Sequence, residues 1–213
     1  MPVRLRRRAC TGNGCFDEQR SRRTFPSICP IGAGMSVIAE SRSERSRAAI
    51  LRAFVDLIFR DGFENISVQA IVAQAGIARS TFYERFSCKE EVLCASMAQF
   101  FEVLAECVSR QDQPAELTHV LGHFWENRRL TDAIFAGTPR RILALSLSEI
   151  IEARLRERRL LLPHRLAAIH LAEAQLALVE NWLRGRAFAR VEEMAMAVHQ
   201  SSRASANALA RAG

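Results

Sequence analysis

Residues 67–86, SVQAIVAQAGIARSTFYERF, predict a pair of short helices joined by a tight turn. The apolar pattern places the first helix at 68–74, with Ser67 as its N-cap, and the second at about 79–86. Gly76 lies between them, where a positive φ is expected. Four apolar side chains are expected to face inward and join the two helices: Ile71, Ala75, Ile77 and Phe82. The stretch is therefore predicted to be a helix-turn-helix.

The second of these helices carries polar side chains that can bond to bases or phosphates. They are Arg79, Ser80, Thr81, Tyr83 and Arg85. A short helix can enter the major groove of DNA, where each base pair presents a distinct pattern of donors and acceptors. Neighbouring positions on a helix face different ways, so Phe82 is expected to be buried and Tyr83 exposed. The helix is thus predicted to be the recognition helix of a DNA-binding domain.

The rest of the chain is predicted to be helical, because from Ser43 onward apolar residues recur at helical spacing and no segment alternates at period two. The first helix ends at Asp61-Gly62 and carries two apolar rows. These rows contain Ile50, Leu51, Phe54, Val55, Ile58 and Phe59. Ser87 and Glu90 are spaced as a capping box that opens a long helix through about Arg110.

Five more helices bring the prediction to an all-α chain of about nine helices. They are expected at 115–127, 128–136, 140–160, 164–185 and 190–210, with Gly137-Thr138-Pro139 as a break. The last two are rich in apolar residues that suit a helix bundle, either within one protomer or between two copies. These residues are Ala167, Leu171, Leu176, Leu178, Trp182, Leu183, Met194, Ala195 and Val198.

The run from Arg47 to Leu93, RAAILRAFVDLIFRDGFENISVQAIVAQAGIARSTFYERFSCKEEVL, resembles the N-terminal domain of the TetR family of bacterial repressors. The elements IL, LIF, GF, AGI, TFY, F and KEE occur in the family's order and spacing. Beyond about residue 100 the resemblance is to a general helical plan. It implies a helix-turn-helix DNA-binding domain at 41–90 and a helical effector-binding and dimerisation domain at 91–213, preceded by a tail at 1–40.

The resemblance implies contacts with an operator in double-stranded DNA. Recognition-helix residues would lie near base edges, while Ser67 would present its hydroxyl and its helix N-terminus to the sugar-phosphate backbone. Tyr83 and Lys89 would lie on phosphates. The predicted DNA-binding residues are Arg45, Arg47, Ser67, Arg79, Ser80, Thr81, Tyr83, Arg85 and Lys89. Without a helix-turn-helix beside them, Arg45, Arg47 and Lys89 would be ordinary solvated charges.

The resemblance also implies a homodimer formed by the last two helices, with two recognition helices about one DNA turn apart. In the family's mechanism a small molecule enters the C-terminal domain, among helices four to eight, and weakens operator binding. Five residues are expected to line that pocket: Phe101, Trp125, Phe135, Glu149 and His170. The sequence therefore predicts a ligand-responsive transcriptional repressor.

Two other functions remain open at this point. One is a DNA-binding protein of the same fold whose effector is a protein, which an exposed apolar patch without an enclosed pocket would favour. The other is a helical enzyme, which would need titratable groups converging in a pocket. No triad spacing, phosphate loop or nucleotide fingerprint occurs in the sequence, so we expect no enzyme and no cofactor.

The net charge of +7 is concentrated at the start of the chain. Residues 1–34 hold seven arginines against Asp17 and Glu18, and they show no sustained helical or strand period. A basic arm that contacts phosphates is one interpretation of this predicted disordered tail. The other is that Met35 is the true start of the protein. The charge total alone does not indicate DNA binding.

The sequence also bears on cellular location, metal binding and thiol reactivity. No apolar run approaches the roughly 18 residues of a membrane span. None of the six cysteines forms a C-x-x-C pair, so we expect a cytoplasmic protein without a zinc site.

One helix face carries Glu116, His119 and His123, as a metal site would. No second cluster of ligands accompanies them, so no metal is expected. Cys88 is either a reactive thiol at a helix N-terminus or an ordinary one.

Overall fold

The computed structural model describes residues 42–128 and 131–211, and for residues 131 and 132 only the backbone. Within these ranges the chain forms ten α-helices and no strand, so the predicted all-α class is confirmed. The helices are α1 (Arg42–Asp61), α2 (Val68–Ala75), α3 (Arg79–Tyr83), α4 (Lys89–Ser96), α5 (Ala98–Ser109), α6 (Ala115–Glu126), α7 (Thr131–Phe135), α8 (Gly137–Leu155), α9 (His164–Leu183) and α10 (Val191–Ala208). A single turn of 3-10 helix at Phe63–Asn65 follows α1. The predicted tail at 1–40 lies outside the described residues.

Helix α1 packs on α2, α4 and α7. Its buried stripe follows the 3.6-residue period and consists of Ile50, Leu51, Ala53, Phe54, Leu57 and Ile58. Val55, which belongs to one of the predicted apolar rows, is 36% exposed. Leu57 is buried instead, because it lies one turn from Phe54 and two turns from Ile50 on the same face.

The predicted long fourth helix is broken in two. Helix α4 ends at Ser96 and α5 begins at Ala98, with the two axes bent by 57°. The predicted Ser87–Glu90 capping box is also wrong. The backbone N–H of Ser87 donates to the carboxylate of Glu91 at 2.7 Å, and α4 starts one residue after Cys88.

Helix α8 begins earlier than its sequence predicts. Gly137, with a φ of 58°, is its first residue, and Pro139 lies buried in the first turn. Proline is tolerated there because the N–H groups of a first turn have no partner within the helix. The predicted break at 137–139 is therefore the start of α8.

The helices enclose one continuous apolar core. Helices α8 and α9 pack along each other, α10 packs on α5, α6 and α9, and α1 contacts α2, α4 and α7. The predicted boundary between the two domains falls inside α4. Among the described helices none is long and apolar enough by itself to cross a bilayer, and only the bent pair α4 and α5 reaches that length and composition together.

Candidate nucleic-acid interface

Helices α2 and α3 form the predicted helix-turn-helix. The Ser67 hydroxyl oxygen caps α2 by accepting a hydrogen bond of 3.1 Å from the backbone N–H three residues on. Gly76 adopts a left-handed conformation with a φ of 63°, and the N–H of Ile77 donates to the carbonyl of Val72 at 3.3 Å, which closes a Schellman motif. The cap and the turn were both predicted from the sequence, and both are confirmed.

One aromatic ring fixes α3 on the domain. Phe82 is fully buried and its ring lies 6.0 Å from that of the buried Phe86, whereas Tyr83 is 48% exposed. The predicted directions of Phe82 and Tyr83 are therefore confirmed. Helix α3 ends at Tyr83, three residues before the predicted end, although the N–H of Phe86 still donates to the carbonyl of Phe82 at 2.9 Å. Of the other residues predicted to face inward, Ile71 is fully buried and Ala75 and Ile77 are half-buried.

The solvent side of α3 presents a polar surface. Arg79 and Ser80 are exposed and Thr81 is half-buried. The Arg79 guanidinium donates to the Tyr83 hydroxyl at 3.3 Å and lies 5.6 Å from the centre of its ring. This contact orders Arg79 on the outside of the helix, and the guanidinium has further N–H groups that can reach a base edge or a phosphate.

The remaining predicted arginines differ in burial. Arg45 is exposed, while Arg47 is half-buried with its guanidinium carbon 5.5 Å from the centre of the Phe86 ring. Burial lowers the pKa of Arg47, and the nearby Glu91 carboxylate opposes that shift. Arg85 is half-buried, and its Nε atom has no hydrogen-bond partner in the described part of the chain. Arg45 and Arg79 are thus the most accessible cations of the predicted set.

Lys89, the one lysine of the sequence, has an internal role that the sequence did not indicate. Its ammonium donates to the carbonyls of Phe63 at 2.8 Å, Ile66 at 3.0 Å and Glu64 at 3.3 Å. It also lies 4.6 Å from the centre of the Phe63 ring. These three bonds tie the start of α4 to the turn after α1. An ammonium has three donors, so the predicted phosphate contact of Lys89 competes with this clamp.

A cavity of about 260 Å³ lies between α1 and helices α4 to α7. Its lining is mostly apolar and rich in phenylalanine, and it includes Phe54, Phe59, Phe100, Phe124 and Phe135. No periodic signal in the sequence reveals this cavity, because it depends on how α1 meets α6 and α7. The Phe-rich pattern of α1 is the one local hint.

Only Phe135 of the predicted ligand-binding residues lines this cavity. Phe101 is fully buried, and Trp125 stacks on Trp182 with 4.7 Å between ring centres. Glu149 lies 3.9 Å from the Arg165 guanidinium, and burial raises the pKa of its carboxyl. His170 is exposed on α9. The structure therefore does not bring the five residues together.

The surroundings of the candidate metal and thiol residues favour neither a metal site nor a reactive thiol. Within the described ranges no group of three or more potential ligands can hold a metal ion, and His123 instead borders the cavity. Burial raises the pKa of Cys88 to about 11, opposite to the lowered pKa that a reactive thiol at a helix N-terminus requires. This favours the ordinary-thiol interpretation of Cys88.

Three solved structures are among those similar to this chain. A TetR transcriptional regulator from Streptococcus agalactiae 2603V is 22% identical, with a TM-score of 0.49 over 76% of this chain and 96% of that one. One from Rhodococcus sp. RHA1 is 14% identical, with a TM-score of 0.47 over 80% and 100%. NalD, the secondary repressor of the MexAB-OprM multidrug efflux pump in Pseudomonas aeruginosa, is 22% identical, with a TM-score of 0.45 over 80% and 98%.

A comparison with family profiles matches the segment that contains the helix-turn-helix. No curated protein matches the sequence significantly. Residues 50–95, from the middle of α1 to the end of α4, match the profile of the bacterial regulatory proteins of the tetR family. The matched segment, which contains α2 and α3, is thus similar to the bacterial regulatory proteins of the tetR family.

Proposed function

We propose that the protein is a homodimeric transcriptional repressor that binds an operator in double-stranded DNA and releases it when a small molecule binds. The exposed face of α3 carries the proposal. Phe82 anchors this helix from below, while Arg79, Ser80 and Tyr83 project from the surface. A short helix held this way can enter the major groove and read base edges.

Phosphate contacts would fix the register of α3 on the duplex. The N-terminus of α2 carries partial positive charge, and the exposed Ser67 hydroxyl, which accepts the capping bond, keeps its own proton to donate. Exposed Arg45 on α1 can neutralise a further phosphate. These groups position the domain without reading sequence, so specificity is assigned to α3.

The proposed dimer uses a different face of α9 and α10 from the residues singled out in the sequence. Eight of those nine residues are buried within the protomer, and only Leu178 is exposed, at 38%. Three apolar side chains of α9 and α10 are exposed, namely Leu178, Leu166 at 54% and Met196 at 49%. Apolar side chains in such positions suit a two-fold contact with a second copy.

Sedimentation of the purified protein tests the dimer. Leu178→Glu and Met196→Glu place charges on the proposed interface and should convert dimer to monomer. Leu145→Glu, at a comparably exposed leucine on α8, is the matched control and should leave the dimer intact. A monomeric parent protein, or equal behaviour of all three variants, would remove this part of the proposal.

The cavity favours a small-molecule effector over the two alternatives. A partly open apolar cavity next to the DNA-binding domain gives a small molecule a place to bind, whereas a protein effector needs only a surface. Among the described residues of the lining, His123 is the one titratable side chain, so no acid-base pair for an enzyme is found in that part of the cavity. A regulator of this kind acts where the DNA is, so the proposal places it in the cytoplasm.

Selection of bound duplexes from random DNA tests the proposed function. The full chain should enrich a two-fold symmetric motif whose half-sites lie about 10 base pairs apart, one turn of DNA. Enrichment should persist at a salt concentration that abolishes non-specific binding. Failure to enrich any motif under these conditions would contradict the assignment of α3 as a recognition helix.

A further inference from the structure

The connection between α8 and α9, residues 156–163, is tied to the segment that follows α10. The N–H of Leu161 donates to the carbonyl of Leu209 at 2.8 Å, and the N–H of Arg211 donates to the carbonyl of Arg159 at 2.9 Å. Both bonds join segments that are far apart in the sequence, so they fix the path of the backbone in this connection. The side chains that the connection carries therefore have defined directions.

The side chains of the connection alternate between the core and the surface. Leu160 and Ala210 form an isolated antiparallel bridge, and Leu160 is buried, with 8% of its side chain exposed. In this register Arg159 lies opposite Arg211, and both are exposed, while Leu161 is 56% exposed. Neighbouring positions of an extended segment face opposite ways, so the burial of Leu160 directs Arg159 and Leu161 to solvent.

Two features of this surface favour a partner that is both anionic and apolar. Like charges directly opposite each other on paired segments are destabilising, so Arg159 and Arg211 both gain from an external anion between them. Next to them Leu162 is 42% exposed, and Arg156 is exposed in the turn after α8. We call the five residues Arg156, Arg159, Leu161, Leu162 and Arg211 the loop patch. Apolar and cationic side chains are thus combined on one ordered surface.

The loop patch and the DNA-binding domain lie near opposite ends of α9. At its C-terminal end, the Arg184 guanidinium donates to the carbonyl of Phe135 at 3.0 Å, which places this end beside α7. Helix α7 in turn contacts α1. The 20 residues of α9 span about 30 Å, so the loop patch is well separated from the side of the helical domain that meets α1.

We propose that the loop patch binds the surface of an anionic phospholipid membrane. Its three arginines contact headgroup phosphates, and Leu161 and Leu162 enter the boundary between the headgroups and the acyl chains. Binding of this kind is peripheral and reversible, and it needs no helix that spans the bilayer. The inference goes beyond the proposed function and does not depend on it.

A lipid surface fits the loop patch better than other anionic partners do. A free phosphate or a DNA backbone would pair with the arginines and leave Leu161 and Leu162 in water. A folded protein partner needs a matched surface of roughly 1,200 Å² in total, whereas a lipid surface adapts to a few exposed side chains. A second copy of the chain would bring the same three arginines to a symmetric contact, and they would repel each other.

Sedimentation of the full chain with lipid vesicles tests the proposal. Vesicles of equal parts phosphatidylglycerol and phosphatidylcholine should bind half of the protein at about 0.1–1 mM accessible lipid, close to the affinity of a single acyl anchor. Vesicles of phosphatidylcholine alone should bind at least about tenfold more weakly, because they carry no net charge. Absence of binding to the anionic vesicles, or equal binding to the two compositions, would overturn the proposal.

Two leucines of equal exposure locate the apolar contact. Leu162 and Leu145 are both 42% exposed, but Leu145 lies on α8, outside the loop patch. Leu162→Gln should weaken binding to the anionic vesicles by at least about fivefold, because its apolar side chain no longer leaves water on binding. Leu145→Gln should bind like the parent protein. Equal binding by the two variants would show that the loop patch does not insert and would overturn the proposal.

Arginine variants separate the loop patch from the basic start of the chain, where residues 1–34 hold seven arginines. Arg159→Gln and Arg211→Gln should each weaken binding to the anionic vesicles by about fivefold. Arg186→Gln changes an exposed arginine after the C-terminal end of α9 and should alter binding by less than about twofold, because salt screens distant charges. If all three variants bound alike, the loop patch would not carry the contact and the proposal would be overturned.

A last measurement separates a lipid site from a general site for polyanions. Arg159→Gln changes an exposed side chain and should keep the melting temperature and the non-specific duplex DNA affinity of the parent protein while lipid binding falls. Equal losses of lipid and DNA affinity would show a general polyanion surface and overturn the lipid assignment. None of these results bears on the selection of an operator, so this inference and the proposed function fail independently.

Discussion

Arg79 in the DNA-binding domain and Arg140 in the helical domain have different partners. On α3, Arg79 contacts only the hydroxyl and ring of Tyr83 among the described residues, and its side chain faces solvent. On α8, Arg140 donates to the carboxylates of Glu173 at 2.7 Å and Glu180 at 3.0 Å, and its side chain is 17% exposed. The first arginine is available to an external anion, and the second is already neutralised.

This difference shows why net charge is a poor guide to the DNA-binding surface. Residues 41–95 hold eight basic and seven acidic groups, and residues 96–213 hold fifteen and thirteen, so the two regions are almost equally balanced. The individual arginines of the two regions differ in whether a carboxylate of the fold pairs with them. In the helical domain, Arg154, Arg165 and Arg190 also pair with glutamates. Arg79, for which no carboxylate partner is found among the described residues, is available to an external phosphate.

The largest effect expected from this comparison is on stability. Arg140→Ala should lower the free energy of unfolding by about 2–3 kcal/mol, because it removes the charged hydrogen bonds of a largely buried guanidinium to Glu180 and to the half-exposed Glu173. Arg154→Ala is the control, since its pair with Glu102 is more exposed and is worth less than about 1 kcal/mol. Urea denaturation of both variants measures the difference. Equal losses of unfolding free energy would show that the two ion pairs stabilise the protein equally, and would contradict the expected difference.

Lys89 is the cation of the DNA-binding domain that behaves like Arg140. Lys89→Met keeps the length of the side chain, removes its three bonds to carbonyls, and should lower the free energy of unfolding by about 2 kcal/mol. Lys89→Arg retains the charge but not the compact ammonium, so it should recover only part of that loss. If Lys89→Met instead left stability unchanged and reduced the salt slope of operator binding by about 0.9, the phosphate contact would be the true role.

A smaller effect is expected at the N-cap of α2. Ser67→Ala removes the hydroxyl that accepts the capping hydrogen bond and should cost about 1 kcal/mol of stability. Ser80→Ala removes an exposed hydroxyl on α3 and should leave the melting temperature within error of the parent. Calorimetric melting of the two variants compares them directly. Equal melting temperatures would exclude a stabilising cap at Ser67.

The parts of the fold that were predictable depend on local signals. Ser67, Gly76 and the opposite directions of Phe82 and Tyr83 follow from capping, backbone preference and helical period, and each is confirmed. The break at Met97 was not predictable, because the sequence around it keeps a helical pattern and the bend arises where α4 and α5 pack against other helices. Tertiary packing overrides local preference at that point.

The candidate cavity was largely unpredictable for the same reason. Of the expected lining residues only Phe135 contacts it, while Trp125 is stacked on Trp182. Large aromatic residues are equally suited to a core and to a pocket, and the choice depends on how helices from distant parts of the chain meet. The sequence could not show that α1 lines the cavity, because this depends on where α6 and α7 lie, and helical periodicity carries no information about the relative positions of helices.

The most direct test of the account compares Arg79→Ala with Arg186→Ala in selection from random duplex DNA. Both arginines are exposed, and Arg186 lies far along the chain, in the connection after α9. Arg79→Ala should keep the melting temperature, lose about 1–3 kcal/mol of operator binding and relax the preference at particular base pairs of each half-site. Arg186→Ala should return the parent motif. If Arg79→Ala returned the parent motif at the parent affinity, α3 would not be the helix that reads DNA.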